Sequence, residues 1–172
     1  NPELLGDSEI TIGLWIGGNG APNTLESAYK DLNKYLHGEM FRNPIQIEKC
    51  PWCGTAIFPA EAPSGGVEIG VRFSPEHFSL FCPETTCPFH DKLPVDVVDE
   101  NLYDQPPTLL LATVDKFARL PWVKDAGKFF GSDQIRPPEL IIQDELHLIS
   151  GPLGTMVGLY ETAIDGLASW NG

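Results

Sequence analysis

PELIIQDELHLISGPLG, residues 138–154, holds an apolar run, Leu140 to Gln143, that ends abruptly in Asp144, Glu145 and His147. A short apolar run without alternation is the pattern of a strand covered on both faces, as in a parallel sheet between helical layers. Two more such runs lie upstream. Thr108 to Ala112 reads TLLLA, and Glu9 to Ile16 reads EITIGLWI before Gly17-Gly18-Asn19-Gly20 stops it. Pro106-Pro107 and Pro137-Pro138 precede two of the three runs. Proline cannot donate to a ladder, so each pair marks strand entry. Between the strands lie helical signals. Asn23 and Glu26 form an N-x-x-E capping pattern, Leu25, Ala28, Tyr29, Leu32, Tyr35 and Leu36 recur at helical spacing, and Gly38 supplies a stop. Near the end, Pro152 suits a first helical turn, and Leu153, Met156, Val157, Tyr160, Ile164 and Leu167 share one face. Strands alternating with helices predict an α/β fold with a mostly parallel sheet.

The composition agrees with a folded domain. The 172 residues are 42% apolar and 20% charged, enough for one domain, or one domain carrying a small insert. The formal charge of −13 disfavours a free-standing duplex-DNA binder, because phosphate neutralisation needs a basic field. It leaves room for a local basic patch. No run of 18 apolar residues exists, so no membrane span is expected. The acidic N-terminal stretch lacks a signal-peptide pattern, so a cytoplasmic location is expected. The first residue is Asn rather than Met, and the sequence is expected to be a piece of something longer. Sixteen Pro and 17 Gly imply many turns.

Residues 41–93 have a different texture. Ile45 and Ile47 alternate with polar residues, as do Val67, Ile69, Val71 and Phe73, with Pro59, Pro63, Gly65 and Gly66 between the two sets. This predicts a β-rich insert splitting the α/β lobe into residues 1–40 and 94–172. The insert carries the four cysteines: Cys50-Pro-Trp-Cys53-Gly54 and Cys82-Pro-Glu-Thr-Thr-Cys87. Zinc favours four soft ligands in a tetrahedron, and two short cysteine pairs on tight turns supply that shape, with Gly54 letting amides fold back toward the sulfurs. Cys50, Cys53, Cys82 and Cys87 are therefore the expected ligands of a structural Zn²⁺. Free thiols and a C-x-x-C redox pair are the competing readings. His90 is either a substitute ligand or an ordinary hydrogen-bonded histidine; His37 and His77 are isolated.

In open parallel sheets, functional sites sit at the carboxyl ends of strands. Two adjacent carboxylates there suit phosphoryl chemistry, one holding Mg²⁺ and the other orienting or deprotonating a water. A solvated turn is the alternative for the same two acids. No H-E-x-x-H is present, which disfavours a metalloprotease.

Together these stretches resemble a known family. IIQDELH followed by LISGPLG (141–154) is similar to motif II, the DExH form of the Walker B box, of superfamily 2 helicases. PPTLLLATVDKFARL (106–120) resembles that superfamily's motif Ib region, and IGLWIGGN (12–19) the strand and glycine pair between motifs Ia and Ib. The run LPVDVVDENLYDQPPTLLLATVDKFA (93–118), with DELHLISGPLG and a four-cysteine insert, resembles the helicase subunits of DISARM-type phage defence. The resemblance implies a RecA-like lobe with an inserted zinc ribbon. It makes Asp144 the Mg²⁺-associated acid, Glu145 the residue that activates water, and His147 the coupler of the nucleotide and nucleic-acid sites. Gly17, Gly18 and Thr113 would line the nucleic-acid track. Lys116, Arg119, Lys124 and Lys128 would add phosphate contacts, or form a solvated surface. Trp15, Trp52 and Trp122 are read as packing residues first and base-stacking platforms second. No G-x-x-x-x-G-K-[ST] occurs, and motif III is absent. ATP hydrolysis, with Mg²⁺, is thus expected of a full-length antiviral helicase or translocase and not of this chain alone. The alternative is a non-enzymatic zinc ribbon that binds a protein partner. A zinc hydrolase is disfavoured, because four cysteines leave no open coordination position.

Overall fold

The computed structural model describes residues 9–17, 20–58, 69–117, 120–131, 136–144 and 154–169. The architecture is α/β and divides into two compact units, Asn1–Thr113 and Val114–Gly172.

The first unit is built on a parallel three-stranded sheet of order β4-β1-β5: β1 Ile12–Trp15, β4 Val95–Asp96 and β5 Leu109–Ala112. Ile12 faces Val95 on one side and Leu109 on the other, and Trp15 faces Ala112. The central position of β1 explains its apolar run, and Trp15 is fully buried. Gly13 is required by a close approach. A β-carbon there would come within 2.5 Å of Pro107 Cγ and 2.7 Å of Leu102 Cδ2.

Helix α1, Leu25–Leu36, forms where its periodicity predicts, but its cap is Thr24 rather than Asn23. Thr24 Oγ1 accepts from the Ser27 amide and Ser27 Oγ accepts from the Thr24 amide, each at 3.1 Å. That reciprocal box outcompetes the Asn23–Glu26 pattern one residue earlier. Glu26 stays in the first turn and pairs with Lys30 at 2.7 Å. Glu100 Oε2 accepts the Leu25 amide at 2.8 Å, a long-range cap invisible in local spacing. Gly38 ends the helix with φ of 75°.

In the 41–93 segment, β2 (Val71–Ser74) and β3 (His77–Leu80) make an antiparallel hairpin with Val71 opposite Leu80. The alternation at Ile45 and Ile47 does not become a strand; nearby there is only an isolated bridge between Lys49 and Ala56. Pro44 has no amide proton, and Asn43 Oδ1 takes the Ile45 amide at 2.8 Å, so a local turn uses the donors. Ile45 is nonetheless buried. A six-residue helix, α2 (Asp99–Asp104), follows β4; it is too short to leave a periodic signal. One buried cluster joins Ala28, Leu32 and Tyr35 of α1 to Ile57, Val71, Phe78, Leu80, Leu93, Val97 and Val98. The cysteine-bearing segment therefore shares its core with α1 and the start of α2.

The second unit holds α3 (Val114–Phe117), 3₁₀ turns at Leu120–Trp122 and Lys124–Phe130, and α4 (Gly154–Ala168). The expected helix start at Pro152 and Leu153 lies outside the described residues. The expected strand over Leu140–Gln143 is not formed: Leu140 and Ile142 are 75% and 80% exposed in irregular backbone. A strand exists only through a neighbour that takes its amides and carbonyls, and among the described residues none pairs with this run. β5 forms, yet Leu109 and Leu111 are half exposed instead of covered, because β5 is the sheet edge among the described residues. No helix among the described residues is long and apolar enough to cross a membrane.

Candidate metal centre

Two tight turns and one hairpin bring the four cysteines together. In the first turn, the Cys50 amide donates to Thr55 O at 2.8 Å and the Gly54 amide to Cys50 O at 2.9 Å. Gly54 makes this possible with φ of 77°, a conformation that side chains with a β-carbon rarely adopt. The hairpin delivers Cys82 two residues beyond β3. There the Cys82 amide donates to Phe89 O at 2.9 Å, and the Cys87 amide to Glu84 O at 3.0 Å. Glu84 Oε1 steadies the loop by accepting from the Thr86 amide and hydroxyl at 3.1 and 2.9 Å.

The four sulfurs lie within 4.8 Å of one another. Cys50 Sγ is 3.9 Å from Cys87 Sγ, and Cys53 Sγ is 3.4 Å from Cys82 Sγ. Tetrahedral zinc–thiolate bonds of about 2.3 Å place sulfurs about 3.8 Å apart, so the donor set and its spacing fit a four-cysteine metal site. All four are free thiols rather than disulfides. Burial pushes the Cys82 thiol up to about 12 and raises Cys87. Cys53 is held down to about 6, first by the Thr55 hydroxyl and then by the Thr55 backbone. A divalent cation would displace the protons of the buried thiols, so binding there couples to proton release. A tetrahedral ion held by all four sulfurs would have no open position, which is the character of a structural rather than a catalytic site.

The described histidines, His37, His77 and His90, stay outside this cluster. His90 Nδ1 lies 2.8 Å from the Cys82 carbonyl oxygen, which can only accept, so the ring buttresses the second loop. His77 Nε2 is 3.0 Å from Ser79 Oγ, and His37 Nδ1 is 2.7 Å from Asn33 O. Sequence spacing did not reveal Arg72, which stacks 4.0 Å over the Phe81 ring and donates to Asp91 O, tying the hairpin to the chain after the second loop. Nor did it reveal Thr55, whose contact with Cys53 needs the folded turn.

At the carboxyl edge of the sheet, the Thr113 amide donates to Trp15 O at 3.2 Å. This sets Thr113, just past β5, beside the end of β1 that leads to Gly17; both residues are exposed. Asp144 is exposed, while Gly18, Arg119, Glu145 and His147 lie outside the described residues. Lys116 is buried, 2% exposed. Lys124 is exposed, and Lys128 pairs with Asp125 at 3.3 Å. Of the tryptophans, Trp15 packs inside, its Nε1 donating to Tyr103 OH at 3.0 Å. Trp52 and Trp122 are 69% and 80% exposed, which corrects the packing reading for both. Trp52 makes an edge contact with Phe89, centroids 5.9 Å apart. A cleft of about 380 Å³ lies at the other, amino edge of the sheet and is lined by none of the predicted site residues.

The chain is thus an α/β protein with a four-cysteine cluster able to hold a metal such as zinc. No protein-family model matches it. It is similar to the DISARM protein DrmA of Bacillus paralicheniformis: 34% identical over an alignment of 209 residues that takes in 95% of this chain. That similarity relates the chain to DISARM-type proteins. The chain spans 18% of that relative's length.

Proposed function

We propose that this chain is a segment of the first motor lobe of an NTP-driven helicase or translocase in a phage-defence system, with residues 41–93 as a structural zinc ribbon. The observation that carries the reading is the 34% identity to DISARM protein DrmA along 95% of the chain. The DELH run supports it from the sequence side. In this reading Cys50, Cys53, Cys82 and Cys87 hold Zn²⁺, which adds rigidity and no chemistry. Asp144 takes part in holding Mg²⁺ on the nucleotide, Glu145 orients and deprotonates the attacking water, and His147 links that site to the nucleic-acid track. Gly17, Gly18 and Thr113 line the track with backbone and hydroxyl donors. Partners are nucleic acid and further subunits of a defence complex. Because the sequence has no phosphate-cradling loop, the isolated chain is inactive toward ATP.

The test is made in the full-length parent protein. Glu145→Gln keeps size and hydrogen bonding and removes the base, so hydrolysis falls by about 10²–10⁴-fold with ATP affinity nearly unchanged. Asp144→Asn weakens Mg²⁺–nucleotide binding as well as rate. Near-parental hydrolysis by Glu145→Gln rejects the motor assignment. A second reading, a zinc ribbon that binds a protein partner without catalysis, is supported by the closed sulfur cluster and exposed Trp52. It gains if the parent hydrolyses no nucleotide.

A further inference from the structure

The four sulfurs are unequal. Cys50, Cys82 and Cys87 are 2%, 0% and 7% exposed, whereas Cys53 sits on the exposed 51–54 turn. The turn is open on its outer side: a β-carbon on Gly54 would meet nothing within 4 Å. A solute oxidant therefore reaches one sulfur before the others. That sulfur also has a partner in place, Cys82 Sγ at 3.4 Å, closer than the 3.9 Å between the buried Cys50 and Cys87. A disulfide needs about 2.05 Å, so closure asks for a movement of about 1.4 Å, which falls to the exposed turn rather than to fully buried Cys82.

We propose that the cluster is a peroxide-sensitive latch in which exposed Cys53 is oxidised first and closes a disulfide to Cys82, opening the metal site. The proposal rests on reading the cluster as a metal centre. In the first step the Cys53 thiolate attacks one oxygen of a hydroperoxide. An S–O bond forms, the O–O bond breaks, and the departing oxygen takes a proton to leave as water or alcohol. Cys53 is then a sulfenic acid, oxidised by two electrons. In the second step the Cys82 thiolate attacks the Cys53 sulfur, the S–S bond forms, the S–O bond breaks, and hydroxide leaves as water on taking a proton. Two of the four thiolates that would hold the metal are consumed, and Cys50 and Cys87 alone do not complete a structural zinc site. The 50–55 and 82–90 turns, no longer bridged through the metal, loosen together. A dithiol reductant reverses the bond.

The experiment uses the full-length parent purified without chelator. Zinc per chain is measured first. Hydrogen peroxide is then added, release is followed with a chromogenic chelator, and the cross-link is mapped by mass spectrometry of non-reduced peptides. A Cys53–Cys82 link appearing in step with zinc release, both reversed by dithiothreitol, is the expected result. Cys53→His replaces the exposed thiolate with a nitrogen ligand that peroxide does not convert to a sulfenic acid, so peroxide-driven release slows by roughly tenfold or more. Absence of zinc before oxidation overturns the metal reading and the latch with it. Zinc present with a Cys50–Cys53 or Cys50–Cys87 link, or with unchanged release from Cys53→His, overturns the latch alone.

Discussion

The cysteine-bearing segment and the DELH segment carry the two strongest motifs of this chain, and they differ in how far the fold completes them. The first is finished: two turns and a hairpin bring four sulfurs within 4.8 Å. Of the second only the part up to Asp144 is described: Leu140 to Asp144 is irregular and exposed, and no described strand pairs with it. A chelate needs only its own ligands and the tight turns that carry them, all of which lie in residues 50–90. A strand-end site needs neighbouring strands to hold the acids in register, and those contacts are distant in sequence.

The contrast is broken most severely by removing a buried ligand. Structural zinc in small fingers contributes on the order of 10 kcal/mol, so Cys82→Ala should unfold much of residues 41–93. Elemental analysis should then find less than one zinc per chain, and limited proteolysis should cut first within that segment, leaving α4 (Gly154–Ala168) unchanged. The shared core sharpens the comparison next. Leu32 is fully buried in the cluster that joins α1 to the hairpin. Leu32→Ala should cost about 2–5 kcal/mol, read as a lowered denaturant midpoint in which helix and hairpin signals fall together. Separate transitions would show that the insert folds independently of α1.

A smaller effect is expected at Gly70, where an added β-carbon would run into the Phe81 carbonyl oxygen. Gly70 also donates its amide to Ile57 O and accepts the Phe81 amide, both at 2.9 Å, so the strain falls on the chain feeding Cys82. Gly70→Ala should cost about 1–3 kcal/mol and lower zinc affinity without changing α4. The mildest test is pH. Burial raises the Asp96 carboxyl above its ordinary 3.8, outweighing the amides of Val97 and Val98 that favour its charge. A raised folded value means its contribution is fully present below 3.8 and is lost as pH rises through that raised value. Acidification therefore spares the Asp96 region while protons displace metal from the cysteines. Chelator-trapped zinc and amide exchange near β4, followed from neutral pH downward, should move with opposite sign.

Much of this was legible because the determining forces are local. The α1 periodicity needs only residues 25–36, and the C-x2-C-G turn needs only a glycine free to adopt positive φ. Spacing patterns misled where a nearby side chain competed for a backbone amide. Ile45 reads as a strand residue until Asn43 takes its amide, and Thr24 replaces Asn23 as the cap because Ser27 answers it. Ligand identity, turn chemistry and the apolar strand run at β1 were determined by the sequence itself, since each depends on neighbours a few positions apart. Tertiary structure alone decided that Lys116 is buried, that Trp52 is exposed, that β5 lies at a sheet edge, and that one cysteine of four faces solvent. Burial is a sum over neighbours from distant parts of the chain, and no spacing rule carries that sum.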